Sequence, residues 1–108
     1  MVYMNNIGKI SAVKRNQVLS CIDVAKRYAK IKKMIIFGSA VTDHCLESSD
    51  VDICLVINGS TRGREMYELS RDLSWACGHH CDILKYHKLS DMFKAEIDKK
   101  GVLVYELS

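Results

Sequence analysis

Apolar and polar positions along the 108-residue chain follow helical spacing in some segments and strand spacing in others. Two short, almost wholly apolar runs predict buried strands over 34–37 and 52–57. A third strand is predicted over 82–86, and the apolar run 102–106 predicts either an edge strand or a docked tail. Helices and strands that alternate in this way favour an α/β or α+β fold, with a small sheet of three or four strands covered by helices.

Apolar residues at helical spacing predict three helices. The first is capped by Ser11 and runs to about residue 32, and the second covers about 62–77. The third is capped by Ser90 and ends at Gly101, and we expect it to bury Met92, Phe93 and Ile97. The apolar faces of the first two helices consist of Val18, Ile22, Ala25 and Ala29, and of Met66, Leu69, Leu73 and Ala76.

Length and composition describe one small domain, residues 1–108, with no linker or repeat. The net charge of +3 would attract a polyanion such as a nucleoside triphosphate, but it is too small to argue for a DNA-binding surface. No apolar run approaches the roughly 18 residues that span a bilayer, and no signal peptide is visible. The odd number of cysteines, five, suits buried thiols in a reducing compartment, so we expect a cytoplasmic protein.

Two further features have alternative interpretations. The segment Cys77-Gly78-His79-His80-Cys81 contains zinc-ligand residue types, but structural zinc sites pair their ligands at two separate places. We therefore favour buried thiols and loop histidines over a zinc site. Tyr67 and Trp75 lie off the apolar stripe of the second helix, so they either form a second apolar surface or pack under a loop.

The candidate chemistry lies between the first two predicted strands. Gly38 and Ser39 follow the first strand, where a glycine lets a bound group approach the backbone and a serine offers its hydroxyl. Asp50 and Asp52 open the second strand at positions i and i+2, so their side chains share a face. Two adjacent carboxylates repel each other unless a cation lies between them, and Mg²⁺ binds such oxygens together with substrate phosphates.

A third carboxylate, Asp82, opens the next predicted strand. It lies beside the aspartate pair if its strand neighbours the second one. Three carboxylates facing a phosphate-binding turn are typical of phosphoryl or nucleotidyl transfer with two metal ions. In such a site Asp82 would be placed to act as the general base.

The pattern Phe37-Gly38-Ser39, ten residues, Asp50-Val51-Asp52 resembles the signature of the nucleotidyltransferase superfamily founded by DNA polymerase β. The short chain and its ending over 97–106 resemble the minimal nucleotidyltransferase (MNT) proteins of bacteria and archaea, and this resemblance covers nearly the whole sequence. It implies a mixed sheet with the nucleotidyltransferase fold. It also implies Mg²⁺-dependent transfer of AMP from ATP to a hydroxyl, here a tyrosine of a HEPN-domain toxin for which the chain is the antitoxin.

Carried over by position, the resemblance implies that Gly38 and Ser39 hold the triphosphate. Asp50, Asp52 and Asp82 would be the catalytic carboxylates and would bind two Mg²⁺ ions. One departure concerns the residues after Ser39. Many relatives carry arginines there, whereas this chain has Ala40, Val41 and Thr42.

The missing positive charge leaves two interpretations open. Other cations of the chain could neutralise the phosphates, and the candidates are Arg62, Arg64, Lys85 and Lys88. Alternatively, the chain is a catalytically weak or silent antitoxin that neutralises the toxin by binding alone. Transfer to a small molecule such as an aminoglycoside is disfavoured, because 108 residues leave little room for an acceptor pocket.

Overall fold

The computed structural model describes residues 1–108 and contains four strands, β1 (Ile31–Phe37), β2 (Val51–Ile57), β3 (Cys81–Lys85) and β4 (Val102–Glu106). They form one sheet in the order β3-β2-β1-β4. Strand β1 is antiparallel to β2 and to β4, whereas β2 and β3 are parallel. The predicted mixed sheet of three or four strands is thus confirmed, and the terminal run is an edge strand.

Four helices surround the sheet: α1 (Met4–Ile7), α2 (Arg15–Ala25), α3 (Gly63–Ala76) and α4 (Asp91–Lys100). Three short 3₁₀ segments cover Ala12–Lys14, Gly38–Val41 and Tyr86–Lys88. Helices α2 and α3 pack against each other, and α4 contacts β1. None of the helices combines the length and the apolar character needed to cross a membrane.

The main core lies on the sheet face that is covered by α2 and α3. Met34 and Ile36 of β1 are fully buried in it, and they pair across the strands with Leu55 and Ile53. Side chains alternate between the faces of a strand, so the intervening positions of β1 point to the other face. There Phe37 packs edge-on against Phe93 of α4. This second face, under α4, is also the face of Asp52, the partner of Phe37 in the register.

The first predicted helix is too long. Helix α2 covers only Arg15–Ala25, and residue 31 already belongs to β1. Ile31 pairs with Ile57 and Lys33 pairs with Glu106, so this segment is held in the middle of the sheet by partners on both sides. Strand pairing over long sequence distance outweighs the local helical spacing. Ser11 makes no side-chain capping hydrogen bond.

The third predicted helix is confirmed as α4, but its predicted burial is wrong at two positions. Ser90 caps it, since the Ser90 Oγ accepts a hydrogen bond from the Phe93 amide at 3.2 Å. Ile97 is buried as expected, whereas Met92 is 81% and Phe93 40% exposed. The face of α4 that carries Ile97 packs on the sheet, and the first turn overhangs a cleft.

The second predicted helix is confirmed as α3, which buries Leu69 and Leu73. Its two off-stripe aromatic residues, Tyr67 and Trp75, are each 66% exposed, so neither packs under a loop. Trp75 lies against the His79 ring, and the Arg71 guanidinium lies over the Tyr67 ring. Both rings are therefore exposed on α3, each beside a polar neighbour.

Candidate active site

Two of the predicted site residues lie side by side because β2 and β3 are parallel neighbours. Their register pairs Asp52 directly with Asp82, and Val51 with Cys81. Adjacent strands are about 4.8 Å apart, so the two carboxylates open the same end of the sheet at close range. Asp50 lies two residues before Asp52, just outside the strand. Its Oδ1 is 3.8 Å from the Nδ1 of His80, a residue that the sequence placed only in a cysteine–histidine segment.

Gly38 lies against Asp52 and has no room for a side chain. Its φ of +72° is in the left-handed region that favours glycine. A Cβ at this position would be 2.0 Å from the Asp52 Oδ2, far inside van der Waals contact. The backbone of the turn therefore reaches the carboxylate directly. Ser39 follows in the 3₁₀ segment, and its carbonyl accepts a 2.8 Å hydrogen bond from the Thr42 Oγ1.

The carboxylate of Asp52 is under electrostatic stress. Burial raises its pKa above the ordinary aspartate value, and the negative charges of Asp82 and Asp50 raise it further. The structure places no cationic side chain within ion-pair distance of Asp52 or Asp82. A divalent cation would relieve this repulsion, and carboxylate oxygens are the ligands that Mg²⁺ prefers, so the chemistry of the three residues fits the ion that the resemblance implies, although their side chains are not gathered around one point.

The loop between the turn and Asp50 is held by a buried cation that the sequence did not reveal. Lys14 is 0% exposed, and its ammonium donates a 2.7 Å hydrogen bond to the Glu47 carbonyl. At the other end of the loop, the Ser11 amide bonds the Ala40 carbonyl at 2.7 Å. The segment before α2 thus fixes the connection between the glycine turn and the aspartates. In the sequence Lys14 looks like any surface lysine.

The cations suggested to replace the missing arginines are not beside the turn. Lys85 lies three residues after Asp82 on β3 and therefore points to the opposite face. Arg62 and Arg64 follow the far end of β2, a strand of seven residues that spans roughly 20 Å. Arg64 is also paired with Glu68 at 3.2 Å. Lys88 follows the far end of β3, in the Tyr86–Lys88 segment.

An apolar cleft of about 830 Å³ opens beside Gly38, between the glycine turn and α4. Its apolar wall is formed by Phe37, Val41, Met92, Phe93 and Ile97. Polar side chains stand at its edge, among them Thr42, Ser90 and the ion pair of Glu96 with Lys100 at 3.2 Å. The cleft could not be seen in the sequence, because it joins residues around 40 with residues around 95.

The structure contains no group of three or more His, Cys, Asp or Glu side chains close enough together to hold a metal ion. This applies to the three aspartates in their present side-chain positions and to the Cys77–Cys81 segment. All five cysteines are free thiols, and Cys77 is buried in the core with Cys21.

The model of the polymerase beta nucleotidyltransferase family matches residues 20–108, well over half of the chain. The chain belongs to this family. No curated protein matches the sequence. The family assignment agrees with the fold, because the matched region contains all four strands together with α3 and α4.

Solved structures with the same fold include chains from toxin–antitoxin complexes. A chain of a toxin–antitoxin structure with AMP-PNP is 17% identical with a TM-score of 0.65, over 86% of this chain and 73% of that one. A chain of the structure of the tri-AMPylated Shewanella oneidensis HEPN toxin in complex with MNT antitoxin is 19% identical with a TM-score of 0.59, over 84% of this chain and 73% of that one. A putative nucleotidyltransferase from Sulfolobus solfataricus is 20% identical with a TM-score of 0.51, over 95% of this chain and 86% of that one. At such identities the likeness shows a shared fold.

Proposed function

We propose that the chain is a nucleotidyltransferase that transfers AMP from ATP to a tyrosine of a HEPN-domain toxin, and so acts as the antitoxin. The observation that carries this proposal is the register of Asp52 against Asp82, with Gly38 in contact with Asp52. Two of the proposed carboxylates and a turn without a side chain thus share one end of the sheet, and Asp50 lies two residues before Asp52 in the chain. The fold shared with chains of toxin–antitoxin complexes, one of them with an AMPylated HEPN toxin, supports the choice of partner.

In this proposal each residue has a defined task. Gly38 and Ser39 hold the triphosphate, and Asp50, Asp52 and Asp82 would hold two Mg²⁺ ions. The bound metal would supply activation of the acceptor hydroxyl and stabilisation of the leaving pyrophosphate. Asp82 accepts the hydroxyl proton, the tyrosine oxygen bonds to the α-phosphorus, and the bond between that phosphorus and the pyrophosphate oxygen breaks.

The direct test is transfer of radiolabel from α-labelled ATP to the proposed partner, a cognate HEPN-domain protein. Wild type should label the partner in the presence of Mg²⁺, and Asp50→Asn with Asp52→Asn should reduce labelling by at least about a hundredfold, as expected when charged groups of a catalytic centre are removed. Asp23→Asn is the matched control, because that carboxylate is exposed on α2. Equal labelling by wild type and the double variant would refute the assignment of the site.

A second function is an antitoxin that acts by binding alone. The low positive charge around the turn favours this function. The turn is followed by the uncharged residues Ala40, Val41 and Thr42, and none of the cations suggested to neutralise the phosphates lies beside it. The two functions separate in cells that express the toxin. If the variant with both aspartates replaced still protects the cells, binding is sufficient. If protection is lost while the complex still forms, catalysis is required. In either case we place the protein in the cytoplasm, where free thiols persist.

A further inference from the structure

The apolar cleft beside Gly38 has the features of a ligand pocket. Its volume of about 830 Å³ falls within the range of 300–1,000 Å³ that small-molecule sites occupy, and its walls are mainly apolar with a few polar groups at the edge. Met92 and Phe93 remain exposed on its α4 side although both are large apolar side chains. Contiguous exposed apolar side chains are a feature of ligand-binding grooves and interaction sites.

The cleft is continuous with the carboxylate site. Gly38 lines the cleft and contacts Asp52, and as a glycine it places no side chain between the two. Phe37, on the other wall, is the register partner of Asp52 on the same sheet face. A ligand whose phosphates bind at the turn can therefore extend into the cleft without crossing a barrier.

The wall provides an aromatic surface. The rings of Phe37 and Phe93 meet edge to face, with centroids 6.0 Å apart and an interplanar angle of 87°. This contact restrains the Phe93 ring, while Phe93 lines the cleft and 40% of the residue stays exposed. A planar, fixed and accessible ring is the surface on which nucleobases stack, and such stacking tolerates different bases.

We propose that this cleft binds the nucleobase of the nucleoside triphosphate, with Phe93 as the stacking surface and Met92 as the flanking apolar contact. The proposal rests on the proposed function, because it extends the nucleotide site of the same reaction. It assigns a role to two residues of α4 that lie outside the glycine turn and the three aspartates.

The geometry of the reaction favours the nucleobase over the acceptor as occupant. In an in-line displacement the attacking hydroxyl approaches phosphorus from the side opposite the leaving group. The pyrophosphate lies at the Gly38–Ser39 turn, so the acceptor approaches from the side of Asp82 on β3. The cleft is on the turn side, between β1 and α4, away from this approach. It is therefore not the path of the acceptor, and the nucleoside attached to the α-phosphate is the part of the reactants that can reach it.

The test compares two ligands on one set of variants by calorimetry in Mg²⁺. The ligands are a non-hydrolysable ATP analogue with an α,β-methylene bridge, and inorganic tripolyphosphate, which has the charge but no base. The variants are Phe93→Leu, which removes the aromatic ring, and Phe93→Tyr, which keeps it. Tyr67→Leu is the matched control, since this aromatic residue is exposed on α3, away from the cleft. Melting curves confirm that each variant is folded.

We expect Phe93→Leu to raise the Kd of the ATP analogue about tenfold, within the range that loss of base stacking produces, while the Kd of tripolyphosphate stays the same. Phe93→Tyr and Tyr67→Leu should bind both ligands like wild type. Equal affinity of Phe93→Leu and wild type for the ATP analogue would overturn this proposal and leave the proposed function standing. The same conclusion would follow if Phe93→Leu bound the partner protein more weakly but bound the analogue like wild type. If wild type binds neither ligand, the proposed function itself fails.

Discussion

Gly38 is the residue at which backbone geometry and site chemistry meet. It combines a left-handed φ with an Asp52 carboxylate in the space that a Cβ would occupy. Either of these constraints alone would already favour glycine. Together they require it, because a side chain would have to displace the carboxylate that is proposed to bind metal.

Gly38→Ala should therefore lose both stability and activity. The left-handed conformation costs a non-glycine residue about 1–2 kcal/mol, and the contact with Asp52 adds to this. We expect the free energy of unfolding to fall by about 2 kcal/mol or more and label transfer to fall below detection. Gly59→Ala is the matched control, because its Cβ would meet nothing within 4 Å. Equal urea melts for the two variants would contradict the steric argument.

Asp52→Asn should stabilise the metal-free chain at neutral pH. The pKa of Asp52 is raised in the folded state, so the folded chain binds the proton more tightly and loses stability as pH rises through that pKa. Removing the charge removes this loss. We expect a higher Tm than wild type at pH 7, and convergence of the two as pH falls below the ordinary aspartate range.

Added Mg²⁺ should reverse this order, because only the wild-type carboxylate gains from the cation. The measurement is Tm against pH with and without Mg²⁺, and Asp23→Asn is the control. A wild type that melts above the Asp52→Asn variant without metal would refute the repulsion among the three aspartates.

Among the elements, the loop over 42–50 decides whether the turn and the aspartates stay in register. It has no helix or strand of its own. The Lys14 ammonium ties it to the segment before α2, and within the loop Leu46 and Ser49 are joined by hydrogen bonds that close a turn. A buried ammonium bound to a loop carbonyl is an unusual anchor, because burying a charge is costly unless it is hydrogen-bonded.

Lys14→Met should loosen this loop while leaving the core filled. Methionine replaces the buried stem of lysine but leaves the Glu47 carbonyl without its donor, which costs about 1–3 kcal/mol locally. We expect amide hydrogen exchange to accelerate in residues 42–50 and label transfer to fall several-fold. Lys26→Met, at an exposed lysine of α2, should change neither. Unchanged exchange in the loop would show that Lys14 is not an anchor.

In the molecule as a whole, the two ends of the chain close the sheet together. Strand β4 forms one edge of the sheet, and on the side of β4 that faces away from β1, Val2 forms an antiparallel bridge with Tyr105. The Tyr3 hydroxyl donates to the Glu106 carboxylate at 2.6 Å, and the Asn6 amide donates to the Leu103 carbonyl at 2.8 Å. The start of the chain thus covers an edge that would otherwise offer unpaired backbone groups.

Val104→Ala should destabilise the whole molecule, because this side chain is fully buried in the core cluster. Loss of two methyl groups and the resulting cavity should lower the free energy of unfolding by about 2 kcal/mol in urea titration. Leu107→Ala, three residues further along the chain and 42% exposed, should cost less than about 0.5 kcal/mol. Similar losses for both variants would place the edge strand outside the cooperative core.

The sequence by itself determined the features that depend on spacing between near neighbours. The apolar runs located three strands and left the terminal run as either a strand or a tail, Ser90 located the start of α4, and the Gly38–Ser39 and Asp50–Asp52 spacing indicated the family. These features are local, since a strand pattern, a cap and an i, i+2 pair are each defined within a few residues.

Only the tertiary structure decided what depends on distant residues. Parallel pairing of β2 with β3 brought Asp82 beside Asp52, and pairing of β1 on both sides ended α2 at Ala25 rather than near residue 32. Packing buried Lys14 and left Phe93 exposed over a cleft. Local spacing fixes which face a side chain takes on its own element, but only the contacts between elements determine what that face meets.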